Sequence, residues 1–209
     1  MFKELHFQAF DQMDAQEALH HIRRYIQPQL RKYGHLIHEA IIESTMFDQL
    51  PVHVAKHIRR KVTPPFNTWV SIGGDGRGYK KYGHVQLGMN QQYVFLVLAL
   101  IDHPPYESEI LSAWKAKGNI ITSLPEDFVF IFDHTDYHWV PLQEITWTAL
   151  EQRSQISHKA DIMIGRLLER ATIDTMTEAS FQAWMIDTLH HLLPWITMAR
   201  KVDLQLRHK

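Results

Sequence analysis

The apolar positions of the chain follow a helical period first and a strand period afterwards, with further helical stretches between and after the strands. Asp14-Ala-Gln-Glu17 has the form of a capping box, and Ile22, Ile26, Leu30, Tyr33, Ile37 and Ile41 follow it on one helical side. Pro28 lies inside that run and predicts a kink or split near Gln27, because a proline removes one amide donor. Residues 51–62 read as a short helix in which Val54, Ala55, Ile58 and Val62 share a face. His53, Lys56, His57, Arg60 and Lys61 then fall on the opposite side.

After Pro64-Pro65 the pattern becomes β-branched and aromatic: Thr68–Ile72, His84–Met89 and Tyr93–Ile101 predict strands, the last two joined by a short loop at Asn90-Gln91-Gln92. Glu107–Lys117 reads as a helix closed by Gly118. Phe128–Asp133 and Tyr137–Val140 predict a second hairpin. Leu142–Gln155 reads as helical, and Ala160–Arg166 fits a strand or a helix. Thr175-Met-Thr-Glu178 resembles a second capping box, with Phe181, Trp184, Met185, Leu189 and Leu192 at helical spacing behind it, and Pro194 closes the regular part. With no repeat, low-complexity tract or Gly/Ser linker, residues 1–209 are expected to form a single α+β domain whose antiparallel or mixed sheet is flanked by helices and covered on one face.

Composition adds exclusions. A chain of 209 residues with 45% hydrophobic and 22% charged positions can bury a full core. The absence of cysteine rules out disulfides, thiolate nucleophiles and thiolate zinc sites, and points to the cytoplasm. The opening residues Met1-Phe-Lys-Glu-Leu-His-Phe-Gln lack the layout of a secretory signal. The longest apolar run, Tyr93–Ile101, falls far short of the roughly 20 residues that span a bilayer, so no membrane partner is expected. The fifteen histidines are scattered and make surface charge sensitive to mild acid.

Charge changes the picture locally. Residues 53–84 hold seven Lys or Arg against the single acid Asp75, in a chain whose formal net charge is −1. Such a patch attracts anions. Lys56, Arg59 and Arg60 with neighbouring backbone donors suit a phosphate or a carboxylate, against the plainer reading of a solvated face. Gly73-Gly74-Asp75-Gly76-Arg77-Gly78 reads as a hairpin loop and matches neither phosphate-loop pattern, although Arg77, Tyr79 and Lys80, with Lys81 and Tyr82, suit a phosphate and a stacked base. His53 and His57 are four apart, but the surrounding cations oppose a metal, and no metal site is assigned. The run Asp133-His134-Thr135-Asp136-Tyr137-His138 has better metal-ligand chemistry and equally suits a His general base oriented by a carboxylate, but the plainer reading, a turn built on good turn formers, is preferred. No GxSxG, HExxH or paired-carboxylate signature is present.

Several of these segments carry a resemblance. His53-Val-Ala-Lys-His57-Ile-Arg-Arg60 followed by Pro64-Pro65, Thr68-Trp69, Arg77-Gly-Tyr-Lys80 and His84-Val-Gln-Leu-Gly88 resembles the YktB-like family of uncharacterised bacterial proteins. Ile26-Gln27-Pro28, Leu124-Pro-Glu-Asp-Phe128 and Asp133-His134 extend it over most of the chain in one order. The resemblance implies a single-domain cytoplasmic α+β protein of firmicute type with an antiparallel sheet and no established activity. Gly73, Gly74 and Gly76 enlarge the loop before Arg77 relative to the family pattern, which favours Arg77, Tyr79 and Lys80 over the glycines as contacts.

The expected function is binding of a phosphorylated or other anionic ligand, a small molecule or a nucleic acid, through the basic helix and the adjacent loop. His53, Lys56, His57, Arg59, Arg60, Arg77, Tyr79 and Lys80 are the candidate contacts. An enzyme acting on a nucleotide-like or phosphorylated substrate, with His84, Asp133 and His134 as acid/base groups, is the alternative. An interaction module without a small ligand is the third reading. Cofactor and oligomeric state are left unassigned.

Overall fold

The computed structural model describes residues 1–45, 47, 50–57, 62–136, 138–156 and 161–207, the side chains of 155–156 excepted. The first helical period becomes α1 (Glu4–Phe7), α2 (Ala15–His21), a π-helical stretch (Ile22–Ile26) and α3 (Gln27–Ser44). Asp14 accepts the N–H groups of Gln16 and Glu17 at 2.8 and 2.9 Å, while Glu17 accepts that of Asp14, so the capping box forms. Pro28 sits in the first turn of α3, where its missing donor costs least, and the wider π turn just before it carries the N–H of Gln27 to the Ile22 carbonyl.

The strands β1 (Val52–Val54), β2 (Asn67–Ile72), β3 (His84–Asn90), β4 (Tyr93–Leu100), β5 (Val129–Ile131), β6 (Trp139–Pro141) and β7 (Ile162–Glu169) form one sheet in the order β1-β2-β3-β4-β7-β5-β6. Every neighbouring pair is antiparallel, and the fold is α+β. Of the segment 160–166, open in the sequence, Ala160 lies outside the described residues and 162–166 begin β7, because Ile162–Glu169 complete the ladder of β4. The remaining helices are α4 (Glu107–Lys117), α5 (Ile120–Ser123), α6 (Trp147–Ile156), α7 (Arg170–Thr175) and α8 (Glu178–Arg207).

One face of the sheet presents Val70, Val85, Leu87, Leu96, Leu98 and Ile164 to the apolar sides of α3, α4 and α8, and this contact is the main core. Trp114 of α4 is fully buried there and donates its indole N–H to the Trp195 carbonyl at 3.1 Å.

Three expectations are corrected. Residues 52–54 are a strand: Val52-His53-Val54 alternates on the open edge of β2, and Gly73 N–H to Pro51 and Ala55 N–H to Trp69 carry the ladder past both ends. The basic helix is therefore not built over 52–57, and Ile58, Arg59, Arg60 and Lys61 lie outside the described residues. The second capping box is one residue pair later, between Thr177 and Ser180. Pro194 does not end its helix: α8 runs on to Arg207, since Trp195, Ile196, Ala199 and Asp203 on the continuing turns are buried and offset a missing bond worth about 3 kcal/mol.

Candidate functional site

The other sheet face is built from the alternate residues of the same strands. Phe95, Val97, Ala99, Ile101, Val129, Ile131 and Met163 make a second apolar cluster there, and Trp69, Tyr79 and Leu167 pack against it. On its β2–β3 side the face turns polar, because His84 and Gln86 alternate with Val85 and Leu87. Tyr79 of the glycine-rich loop folds over this part: its hydroxyl accepts the Trp69 indole N–H at 2.9 Å, and its ring lies 4.8 Å from that of His84 and 5.6 Å from that of His53. Burial raises the Tyr79 phenol above its ordinary pKa.

His84 is 1% exposed. Its Nδ1–H donates to the Tyr82 carbonyl at 2.8 Å, which leaves Nε2 to accept the Gln86 amide at 2.9 Å. Burial, with Lys80 nearby, lowers its pKa to about 4, so the ring is neutral at pH 7.

At the end of β4 and the beginning of β7 the face meets a charged corner. Asp161, 2% exposed, accepts the backbone N–H of Asp102 at 3.1 Å and that of His134 at 2.9 Å, and its Oδ2 takes His134 Nδ1 at 2.6 Å. Asp102 pairs in turn with Lys80, and one ligand-capable atom each of Asp102, His134 and Asp161 lies within 4.8 Å of the others. Desolvation works against a charged His134, but the Asp161 hydrogen bond and charge prevail and raise its pKa. Glu107, 1% exposed at the start of α4, backs the corner; burial raises its carboxyl, and Asp161 adds to the effect. The ring of His134 lies 6.3 Å from that of Trp69, and a cavity of about 90 Å³ opens between them and His57, Phe66 and Asn67.

Beyond Lys80 a larger cleft of about 570 Å³ runs between the loop 75–82 and the end of α8. Arg77, Lys80, Lys81 and Arg207 line it together with Tyr79 and Tyr82. The one acid among its described lining residues is occupied within the loop, as Asp75 accepts Tyr82 Oη at 2.5 Å and the N–H groups of Arg77 and Gly78 at 2.7 and 3.1 Å. These bonds hold the Asp75 carboxyl below its ordinary range. Gly74, at φ +83°, allows the turn, since a Cβ there would stand 2.3 Å from the Gly78 carbonyl oxygen. Arg207 stacks 3.8 Å over Tyr82 and bonds the Lys81 carbonyl, tying the loop to α8.

The proposed contacts thus divide. Arg77, Tyr79 and Lys80 meet at the cleft, and His53 braces the loop by bonding the Asp75 carbonyl at 3.0 Å. His57, held at φ +50°, bonds Thr68 Oγ1 at 3.0 Å and faces the smaller cavity. Lys56 is exposed beside it. His84 and His134 belong to the same sheet face, linked through Tyr79 and Trp69. Asp133 bonds Thr135 at N and Oγ1, both 2.7 Å, and it is Asp161 that orients His134. Sequence reasoning missed Asp102, Asp161 and Arg207. Asp102 and Asp161 come together because Leu100 pairs with Ile162, which places the residues just past these two strand ends side by side.

A family model described as a domain of unknown function, DUF1054, matches residues 2–196. The chain is 33% identical over 199 residues to a UPF0637 protein of Enterococcus faecalis, covering 95% of this chain and 98% of that one. It is 31% identical over 198 residues to a UPF0637 protein of Oceanobacillus iheyensis, covering 95% and 96%, and 31% identical over 194 residues to one of Lactococcus lactis subsp. cremoris, covering 93% and 96%.

Proposed function

From the premise that the chain belongs to the DUF1054 family of bacterial proteins, we propose that it binds a phosphorylated or otherwise anionic ligand in the cleft between the loop 75–82 and α8. The observation that carries this reading is the convergence of Arg77, Lys80, Lys81 and Arg207 on one cleft whose single acid among the described residues is spent on its own loop. Guanidinium and ammonium groups beside tyrosine rings suit a phosphate attached to a planar or sugar moiety. A single cytoplasmic domain is part of the proposal; no helix among the described residues is long and apolar enough to cross a membrane.

Thermal unfolding against nucleotides, sugar phosphates and short RNA tests it. A ligand at 100-fold excess over its dissociation constant adds about 2.7 kcal/mol, a rise of roughly 5–10 °C for a domain of this size. The rise should persist at physiological salt and disappear in Arg77→Ala/Lys81→Ala. A response unchanged in that double variant removes the proposal.

A second reading, an enzyme on a phosphorylated substrate, is favoured by the 2.6 Å contact that orients His134 on buried Asp161, beside a cavity. In that reading His134 carries the proton transfer and Lys80 links it to the cationic cleft.

A further inference from the structure

We propose that Asp102, His134 and Asp161 form a binding site for one divalent transition-metal ion, a site that does not depend on the anion cleft. Ligand atoms bonded to such an ion at about 2.1 Å stand roughly 3–4 Å from one another, so a set already within 4.8 Å closes by a small inward shift. The donors are two carboxylates and an imidazole, the nitrogen and oxygen chemistry suited to manganese, iron or zinc.

Three independent features of the corner favour a cation. First, its carboxylates are gathered where the sheet ends: Asp161 is 2% exposed, Glu107 behind it is 1% exposed, and Asp102 completes the group. Concentrated, poorly hydrated negative charge calls for a compact positive partner. Second, Asp161 is oriented by the backbone N–H groups of the two residues that supply the other donors, at 3.1 and 2.9 Å. This is the outer support that fixes metal-binding carboxylates, and Asp161 Oδ1, which accepts only the Asp102 N–H, keeps a lone pair for the ion. Third, the positive charge now present is replaceable. Asp102 is balanced by Lys80 in a pair whose side chains are 48% and 46% exposed, His103 stands 3.4 Å from the Glu107 carboxylate, and the proton between His134 and Asp161 supplies the rest. An exposed pair of this kind is worth about 0–1 kcal/mol, which a directly bonded dication displaces. A cavity of about 90 Å³ lies on the Trp69 side of His134, room for water or a small molecule next to that ligand.

Titration calorimetry of the full chain, stripped of metal with a chelator, against Mn²⁺ and Zn²⁺ in phosphate-free buffer is the test. One ion per chain should bind at micromolar affinity, and Asp102→Asn should weaken it roughly tenfold or more. That variant loses only the Lys80 pair and is expected to fold; Asp161→Asn, which also disturbs the backbone ties, is read only after its unfolding transition has been measured. Lys80→Met distinguishes a metal site from a structural salt-bridge corner, since removal of the competing ammonium should tighten metal binding severalfold while weakening any anion in the neighbouring cleft. Binding no tighter than millimolar overturns the proposal, as does binding that survives both Asp102→Asn and His134→Gln, which would place the ion on exposed histidines. Failure of the anion response alone leaves the metal result standing, and the reverse also holds.

Discussion

The two faces of the sheet are made by the same strands and obey different rules. Toward the helices, Val85, Leu87 and Met89 of β3 enter a continuous apolar core; on the reverse side of that strand, His84, Gln86 and Gly88 sit among Tyr79, Trp69 and the aromatic ring of Phe95. Burial is as complete on one side as on the other. What differs is the treatment of polar groups: the helix face mostly avoids them, whereas the reverse face holds them in a chain of alternating ring contacts and hydrogen bonds running from His84 through Tyr79 and Trp69 to His134 and Asp161. The contrast teaches that apolar packing sets the architecture while the reverse face spends buried polar groups that packing alone does not require.

The comparison breaks first where packing dominates. Trp114→Ala should cost about 4 kcal/mol, read as a lowered urea midpoint with an unchanged slope, because the indole is fully buried and its bond to the Trp195 carbonyl is lost. A loss under about 1 kcal/mol would mean that α4 is not held by the core.

His84 sharpens the comparison from the other side. Its folded-state pKa of about 4 lies below the unfolded value of 6.5, so the unfolded chain binds more protons between these pH values. Its contribution is complete above pH 6.5 and is lost as pH falls toward 4, about 3 kcal/mol in all. Asp203 acts in the opposite direction: its carboxyl, 1% exposed and accepting the Gly83 N–H at 3.1 Å, is pushed up by burial to about 6 from 3.8. The folded state therefore holds the extra proton, and stability falls as pH rises through that window. The two nearly cancel between about pH 4 and 6, so neither is visible until one is removed.

Denaturant titrations of His84→Gln and Asp203→Asn at several pH values separate them. The His84 variant should lose the rise in stability with pH and become less stable toward neutral pH. The slightly smaller effect belongs to Asp203→Asn, which keeps an acceptor for Gly83 without the charge: a gain of about 3 kcal/mol at pH 8 that vanishes near pH 4. Parallel pH profiles for wild type and both variants would show that neither group titrates differently in the folded chain.

The helix face was legible in the sequence because periodicity reports it directly. Ile22, Ile26, Leu30, Tyr33, Ile37 and Ile41 were expected on one side and are all fully buried. The strands of 67–100 and the antiparallel α+β arrangement were legible for the same reason. Val52–Val54 was read as helix because a three-residue edge strand has too few alternations to outweigh a 3.6-residue fit, and its pairing with Val70–Ile72 is not encoded locally. Pro194 misled because a local rule about amide donors does not include the burial of the next residues, Trp195 and Ile196, against the core. Of the polar site, Arg77, Tyr79 and Lys80 stood out through charge density, but Asp102 and Asp161 are ordinary residues at strand ends until the pairing of β4 with β7 makes them neighbours. Arg207 reaches the cleft only because α8 continues past Pro194.

That β4–β7 pairing has a kinetic consequence. Leu100 and Ile162 are roughly sixty positions apart, so the central seam cannot zip outward from a tight turn as β3 and β4 can from Asn90. It must wait for a long loop to close, an entropic toll that grows only slowly with length but falls before any seam contact is rewarded. The corner of Asp102, His134 and Asp161 is assembled by that closure and has no counterpart in a partly folded chain with the hairpin alone. Its backbone ties from Asp161 to both neighbouring segments make it a latch on the seam, formed when the chain commits to its final topology and broken when it leaves it.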